Sequence, residues 1–403
     1  MEIQKSDKSI ILERAKRHYF SLGVGDGCSY LCRYNMRYGL SKIHWAQEQL
    51  GMEPNATFIS SPDESVTRNS IRWENGMGYG GKLSWGGGES KTIFLDSMPN
   101  ACGMLVGGLK ESIDPKILIE RIHKIENEAH FIDDVEIQWD FGKSNHFIDI
   151  FSIKKIAVSG LPDYAFIIHC GSPELKGDNA KNIGLYYYRS QFLKDVSKEI
   201  ETPFGISRVL IDNDAEEYMK SYQNADEFVK RKRILAADLI FGDYETITNP
   251  NHQALINYNE HILGTHDTTD PLTNGIFPIA LRSDLHAYLM KGLKNLDKEV
   301  IEAVGFTKRA NELGVYNRLT NANLLPHGGG YAFKHLSNII DVIETENKRY
   351  FIVDMQSDVG TKILSNVRDI EFTYRGKEVV IKTLELMLGE PFAKLVPIYI
   401  LKI

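Results

Sequence analysis

Short runs of β-branched and aromatic residues crowd two stretches of this 403-residue chain, and its middle carries helical patterns instead. Strand candidates fall at Thr92–Leu95, Val135–Trp139, His146–Ile153 and Tyr164–His169, and again at Ile339–Glu344, Arg349–Met355, Ile370–Tyr374 and Val379–Thr383. The run KLVPIYILKI reads as a closing strand. Pro397 places it at an edge or a bulge, because proline donates no ladder hydrogen bond. Apolar residues recur at helical spacing in Lys42–Leu50, Pro115–Ala129, Ile183–Ile200, Ala215–Ile240, Asn251–Leu263, Leu281–Leu296 and Lys298–Leu313. Segregated strands and helices predict an α+β fold. The expected layout is one large domain, with a sheet-rich core from about 60–180 and 315–403 and a helical insertion over about 181–314. Residues 1–60 are mixed, and Cys28–Cys32 falls in a glycine-containing turn region.

Composition narrows the classes of function. At 42% apolar and 25% charged residues the chain can bury a large core. A net charge of -7 excludes a global basic field, so a nucleic-acid site would have to be a local patch. Four cysteines (Cys28, Cys32, Cys102, Cys170) are too few for a disulfide framework. The start is charged and no apolar run approaches the roughly 18–20 residues of a bilayer span. These features predict a cytoplasmic protein with reduced thiols and no membrane contact.

Candidate chemistry sits where polar residues meet glycine. Cys102 lies in PNACGMLVGGL, and its thiolate suits one metal or a bridge between two; a small buried hydrophobe is the other reading. His146 opens a strand in NHFID, and His169 ends the apolar run YAFII before Cys170-Gly171-Ser172. His327 precedes Gly328, Gly329 and Gly330, whose N–H groups suit an anion such as phosphate unless the segment is an ordinary flexible loop. One sulfur and three imidazoles would make a site for Mn²⁺ or Zn²⁺. Further signals are Lys230-Arg231-Lys232-Arg233, either an RNA grip or a solvated helical face, and GGGES at Gly86–Ser90, a phosphate-binding candidate. His261 and Thr265-His266-Asp267 are either acid/base candidates at a helix end or ordinary surface histidines, and Cys28 with Cys32 could be half of a zinc site, but no second CxxC exists to complete it. Lys143, Lys176 and Arg282 are basic residues near the expected cleft.

GKSNHFIDIFSI followed by YAFIIHCGSPELKG resembles the RtcB RNA ligase family, which has a GxGNHFxE strand and then HSGSRGLG. PNACGM is similar to its D-x-x-C-G-M/V segment, LLPHGGG to its P-H-N segment, Gln356–Thr361 to its PGSMGT loop, and PIYILKI to its last strand. Together these span roughly residues 90–403. The resemblance implies an RtcB-like mixed-sheet fold around a dinuclear Mn²⁺ site. It implies joining of RNA 2′,3′-cyclic phosphate or 3′-phosphate ends to 5′-hydroxyl ends, with GTP and a guanylylated histidine. It assigns Cys102, His146, His169 and His327 to metal and places Asn145, with Gly328 and Gly329, at the guanine nucleotide. The family's aspartate before the cysteine is Pro99 here, with Asp96 nearby but out of register, and its arginine after Gly-Ser is Pro173. Its nucleophilic histidine lies in HGAGR after the PGSMGT loop, yet no histidine follows His335; its MPDVH segment is missing unless NGMGYGGKLSW replaces it. Three readings follow: a divergent ligase, a metal-dependent phosphoesterase acting on RNA ends, or a non-catalytic relative that binds RNA or a protein.

Overall fold

Alternating apolar residues build a large curled mixed sheet, and the computed structural model describes it over residues 5–156, 160–345, 348–356 and 360–401. Among the described residues twelve strands join it. From one edge the order is Tyr19–Phe20, Thr57–Ser65, Tyr79–Ser84, Glu260–Leu263, Asn251–Asn257, Cys102–Leu109, Tyr164–Cys170, Phe147–Lys155, Gly389–Leu401, Ala287–Gly292 and Ile276–Ile279. Glu245–Thr248 pairs with Cys102–Leu109 as well. The first pair is parallel and the others are antiparallel. With the helices packed against it the chain is α+β.

The strand Cys102–Leu109 lies mid-sheet and is buried throughout. Its glycines are needed for close approach. A Cβ on Gly107 would strike the ring of Phe166 on the next strand. That ring stacks on Phe241 at 3.9 Å between centroids, which seats the long helix Asp212–Phe241 on the sheet. The helix runs unbroken because Ala215, Tyr218, Tyr222, Ala225, Val229, Ala236 and Ile240 keep one face apolar. It stops at Gly242, whose φ of 72° few other residues tolerate.

The stretch 181–314 is not a helical insertion. It holds the long helix, but Asn251–Leu263 forms two paired strands and Leu281–Leu296 contains the strand Ala287–Gly292, all in the central sheet. Ile183–Ile200 yields only the short helix Gln191–Val196 before the strand Lys198–Thr202. Apolar residues at i and i+4 also fit a strand buried on both faces, and burial decided between the two periods. Conversely, Val379–Thr383 lies in the helix Lys377–Glu385, and Cys28–Cys32 lies in the helix Gly27–Gln49, started by the Asp26 cap on Ser29 N. The strand of Pro397 runs between two others, but its pairing with Ala287–Gly292 ends at Leu395, so Pro397 is paired on one side only, and the register shifts between Pro397 and Tyr399 where the ladder lacks a donor, as an edge or bulge position requires. Residues 357–359 of the Gln356–Thr361 segment, and the final two residues of PIYILKI, lie outside the described residues. No described helix is long and apolar enough to cross a membrane.

Candidate metal centre and its cleft

Four neighbouring strands bring the donors together. Cys102 opens the central strand. On one side the ladder pairs Met104 with His169, and the next strand sets Phe147 opposite His169, so His146 arrives just before it. On the other side Asn251 pairs with Gly103 and Gln253 with Cys102, and the register shifts between them. His252 is the residue at that irregularity. Bulged residues are re-aimed relative to the regular ladder. Here the result is a buried imidazole 5.0 Å, centroid to centroid, from the ring of His169.

The Cys102 sulfur lies 3.4 Å from His169 Nε2 and 3.5 Å from His146 Nε2. Each imidazole is oriented from behind. His169 Nδ1 donates to the carbonyl of Asn145 at 3.0 Å, which leaves the Nε2 lone pair facing sulfur. His146 Nδ1 lies 2.8 Å from the Asp140 carboxylate. Asp140 is backed by Lys232, whose ammonium donates to Gly171 O at 3.0 Å and Gln138 O at 2.8 Å and lies 3.0 Å from Glu174. Such outer partners fix the ring and tautomer of a metal-binding histidine.

Cys102, His169 and His252 could hold a metal ion: their donor atoms all lie within 4.8 Å of one another. His252 is fully buried, and neither ring nitrogen has a hydrogen-bond partner among the described residues. A buried imidazole with both nitrogens idle is costly, and a bound cation would occupy one of them. Burial, then the neighbouring His327, His169 and His266, holds the His252 pKa well below its ordinary value; burial, then His146 and His327, does the same for His169. Both rings are therefore neutral and free to ligate. Burial alone would lower His146, but the Cys102 sulfur and the Asp140 carboxylate outweigh it and raise it to about 10. His146 contacts the sulfur yet stands outside the set of three.

His327 stands outside the set of three but directly beside it. Its ring stacks against His252 at 4.4 Å, tilted by 31°, and its Nδ1 donates to Asp63 at 2.8 Å. The same Asp63 oxygen accepts from the backbone N–H of His327 at 3.2 Å and of Gly328 at 3.4 Å, while Ser61 Oγ donates to the other oxygen. The anion held at this glycine run is thus the protein's own carboxylate. The run is not a loose loop either: a Cβ on Gly329 would meet Arg375 O, and Arg375 forms a bidentate pair with Asp26.

Cys102, His146, His169 and His327 all line one cleft of about 650 Å³, with Asn145, Gly328 and Gly329. Tyr331, Phe372 and Tyr374 form an aromatic wall, with Tyr331 4.9 Å from Phe372 and 5.3 Å from Tyr374. Arg68, Arg72 and Arg368 line it as well.

The remaining candidates stand apart. Asp96 is no ligand: it takes Lys42 Nζ at 2.9 Å, Ser207 Oγ at 2.8 Å and Arg208 N at 2.9 Å. In the run 230–233, Lys232 and Arg233 are buried, Lys230 pairs with Asp226 and Arg231 with Asp133. Half the run supports the centre from behind rather than facing water or RNA. His261 and His266 are buried strand residues bonded to Ser97 Oγ and Pro278 O at 2.9 Å each, not helix-end acids. Arg282 pairs with Asp284. Asp63 and His252 were missed in the sequence. His252 had only the Asn-Pro before it as a sign of an interrupted strand, and Asp63 only its Pro62 neighbour. No family model matches the chain, and no curated protein matches it in sequence.

Proposed function

We propose that this chain is an RtcB-like, metal-dependent protein of RNA ends, which joins 3′-phosphate or 2′,3′-cyclic phosphate ends to 5′-hydroxyl RNA with GTP. The observation that carries this reading is the Asp63–His327 pair set against His252 and, through it, beside Cys102 and His169, with Cys102, His169 and His327 lining one cleft. With His252 available as a donor, His327 is free to be the guanylyl acceptor the reaction needs.

In this reading Asp63 keeps the proton on Nδ1, so the Nε2 lone pair attacks the α-phosphorus of GTP; a P–N bond forms, the α–β P–O bond breaks and pyrophosphate leaves. Water first opens a 2′,3′-cyclic phosphate to the 3′-phosphate; the guanylyl group then passes to that phosphate as the P–N bond breaks, and the 5′-hydroxyl, losing its proton, displaces GMP to form the phosphodiester. The aromatic wall of Tyr331, Phe372 and Tyr374 offers the guanine a stacking face. A Zn²⁺ or Mn²⁺ bound by Cys102, His169 and His252, with His146 reaching the same sulfur, would neutralise phosphate charge. The sulfur and nitrogen donors favour Zn²⁺ on softness. Four free, buried thiols suit a reducing cytoplasmic setting.

The test is incubation with α-labelled GTP and metal, followed by denaturing electrophoresis. A protein–GMP adduct is expected, absent in His327→Asn. Hydrolysis of cyclic-phosphate RNA without any adduct would replace ligation with the phosphoesterase reading.

A further inference from the structure

Arg72 is a buried cation without a counter-ion. It stands on the short segment Ser70–Glu74, is 4% exposed and lines the cleft. Its Nη2 donates to Met98 O at 2.8 Å, but its Nε has no hydrogen-bond partner, and among the described residues no carboxylate lies within 4.0 Å of it. The equally buried Lys42, Lys232 and Arg375 each meet a carboxylate. Arg233 and Lys82, also deeply buried, likewise meet no carboxylate among the described residues, but they bond to Asn249, Asn251 and Asn321 away from the cleft; Arg72 is the one of the three that lines it, and leaving it without an anion is expensive.

Its surroundings show what the anion would meet. The Arg72 guanidinium carbon lies 5.8 Å from the centroid of Tyr79, and the same ring contacts His327 edge-on at 5.7 Å. At the rim, Arg68 lies over Phe372 at 4.3 Å, and Arg368 Nε donates to Arg68 O at 2.9 Å; neither pairs with a carboxylate among the described residues. Asp149 is the sole carboxylate among the described residues lining the cleft. In a chain of net charge -7, three guanidiniums without acidic partners make a local positive field.

We propose that Arg72 binds a terminal phosphate group next to His327, and that Arg68 and Arg368 hold the phosphates that follow it. This rests on the RNA-end reading above. The phosphate belongs either to the RNA 3′ end or to the nucleotide. The planar fork of Arg72, with Nε–H idle, matches two phosphate oxygens.

The experiment measures fluorescence anisotropy of an oligoribonucleotide ending in 3′-phosphate, the same strand ending in 3′-hydroxyl, and a fluorescent GTP. It compares the native chain, R72A, R72K and the R68A/R368A double variant, each first assayed for bound zinc to show an intact centre. The native chain should prefer the phosphate end or bind GTP. R72A should lose that preference or that nucleotide affinity by about ten- to a hundredfold. The ligand whose affinity falls identifies the source of the phosphate. R72K, which keeps the charge and folds if R72A does not, should recover only part of it. R68A/R368A should flatten the dependence of log affinity on log salt by about 0.7 per arginine removed. Zinc-loaded R72A and R72K that both keep native end preference and native GTP affinity overturn the proposal. A zinc-loaded native chain with neither end preference nor GTP affinity overturns the RNA-end reading itself.

Discussion

Replacing His252 and His327 in turn separates the two assignments of the centre. If Cys102, His169 and His252 are the donors, His252→Ala removes one of three that lie within 4.8 Å of one another, whereas His327→Ala leaves all three. A four-ligand zinc site is worth about 10–16 kcal/mol, so one ligand is worth about 3 kcal/mol, or about a hundredfold in affinity. At a free metal concentration of about 100 times the native dissociation constant, binding stabilises the native fold by about 2.7 kcal/mol, but the weakened variant by only about 0.4 kcal/mol. With an unfolding entropy of about 2.1 cal/mol/K per residue, the difference over this chain length is a shift in Tm of about 3 °C. The assay is calorimetry of each variant with and without zinc, so that a change in the metal-free fold cancels. His252→Ala should lose most of the metal-induced shift and His327→Ala should keep it. The opposite pattern, with the shift surviving in His252→Ala and vanishing in His327→Ala, would refute the argument and return His327 to the ligand set.

Asp63→Asn should slow formation of the GMP adduct by up to about 10⁴-fold with metal content unchanged, because an amide no longer enforces the Nδ1–H tautomer of His327; rapid-quench kinetics at saturating GTP reads this directly. Lys232→Met leaves Glu174 and Asp140 buried beside a lost ammonium. It should cost about 3–5 kcal/mol in urea unfolding, and an unchanged midpoint would mean that water enters behind the centre. Stability should also fall in mild acid. Burial, and then Arg318 and other arginines, lowers His18 from 6.5 to about 4. Above pH 6.5 the ring is neutral in both states. Between 6.5 and 4 the unfolded chain binds a proton that the folded chain refuses, a loss on the order of 3 kcal/mol by pH 4. Urea midpoints across this range should slope less in His18→Gln.

The legibility of this chain depended on how local each signal was. Strands such as Tyr164–Cys170 were visible because continuous apolar runs bounded by Gly and Pro have few alternatives. Asn251–Leu263 was misread because its apolar residues satisfy both periods, and only the neighbouring strands decide. Cys102, His146 and His169 were visible through their glycine and strand contexts, and they do meet at one sulfur. His252 was not, because its place beside Cys102 and His169 comes from a ladder irregularity that exists only when two strands align. The role of His327 turns on Asp63, 264 residues away in sequence. The glycines after His327 promised a cradle for a foreign anion, and nothing in their order reveals that a distant side chain already fills it.

The strand Gly389–Leu401 is interior, with Phe147–Lys155 on one flank and Ala287–Gly292 on the other. During synthesis those two flanks are made long before the piece that joins them, and each must wait as an open edge able to recruit a strand from another molecule. A ribosome stalled before residue 389 would therefore release a sticky half-sheet rather than a smaller stable protein. Chains truncated there should partition into inclusion bodies, where full-length chains stay in solution.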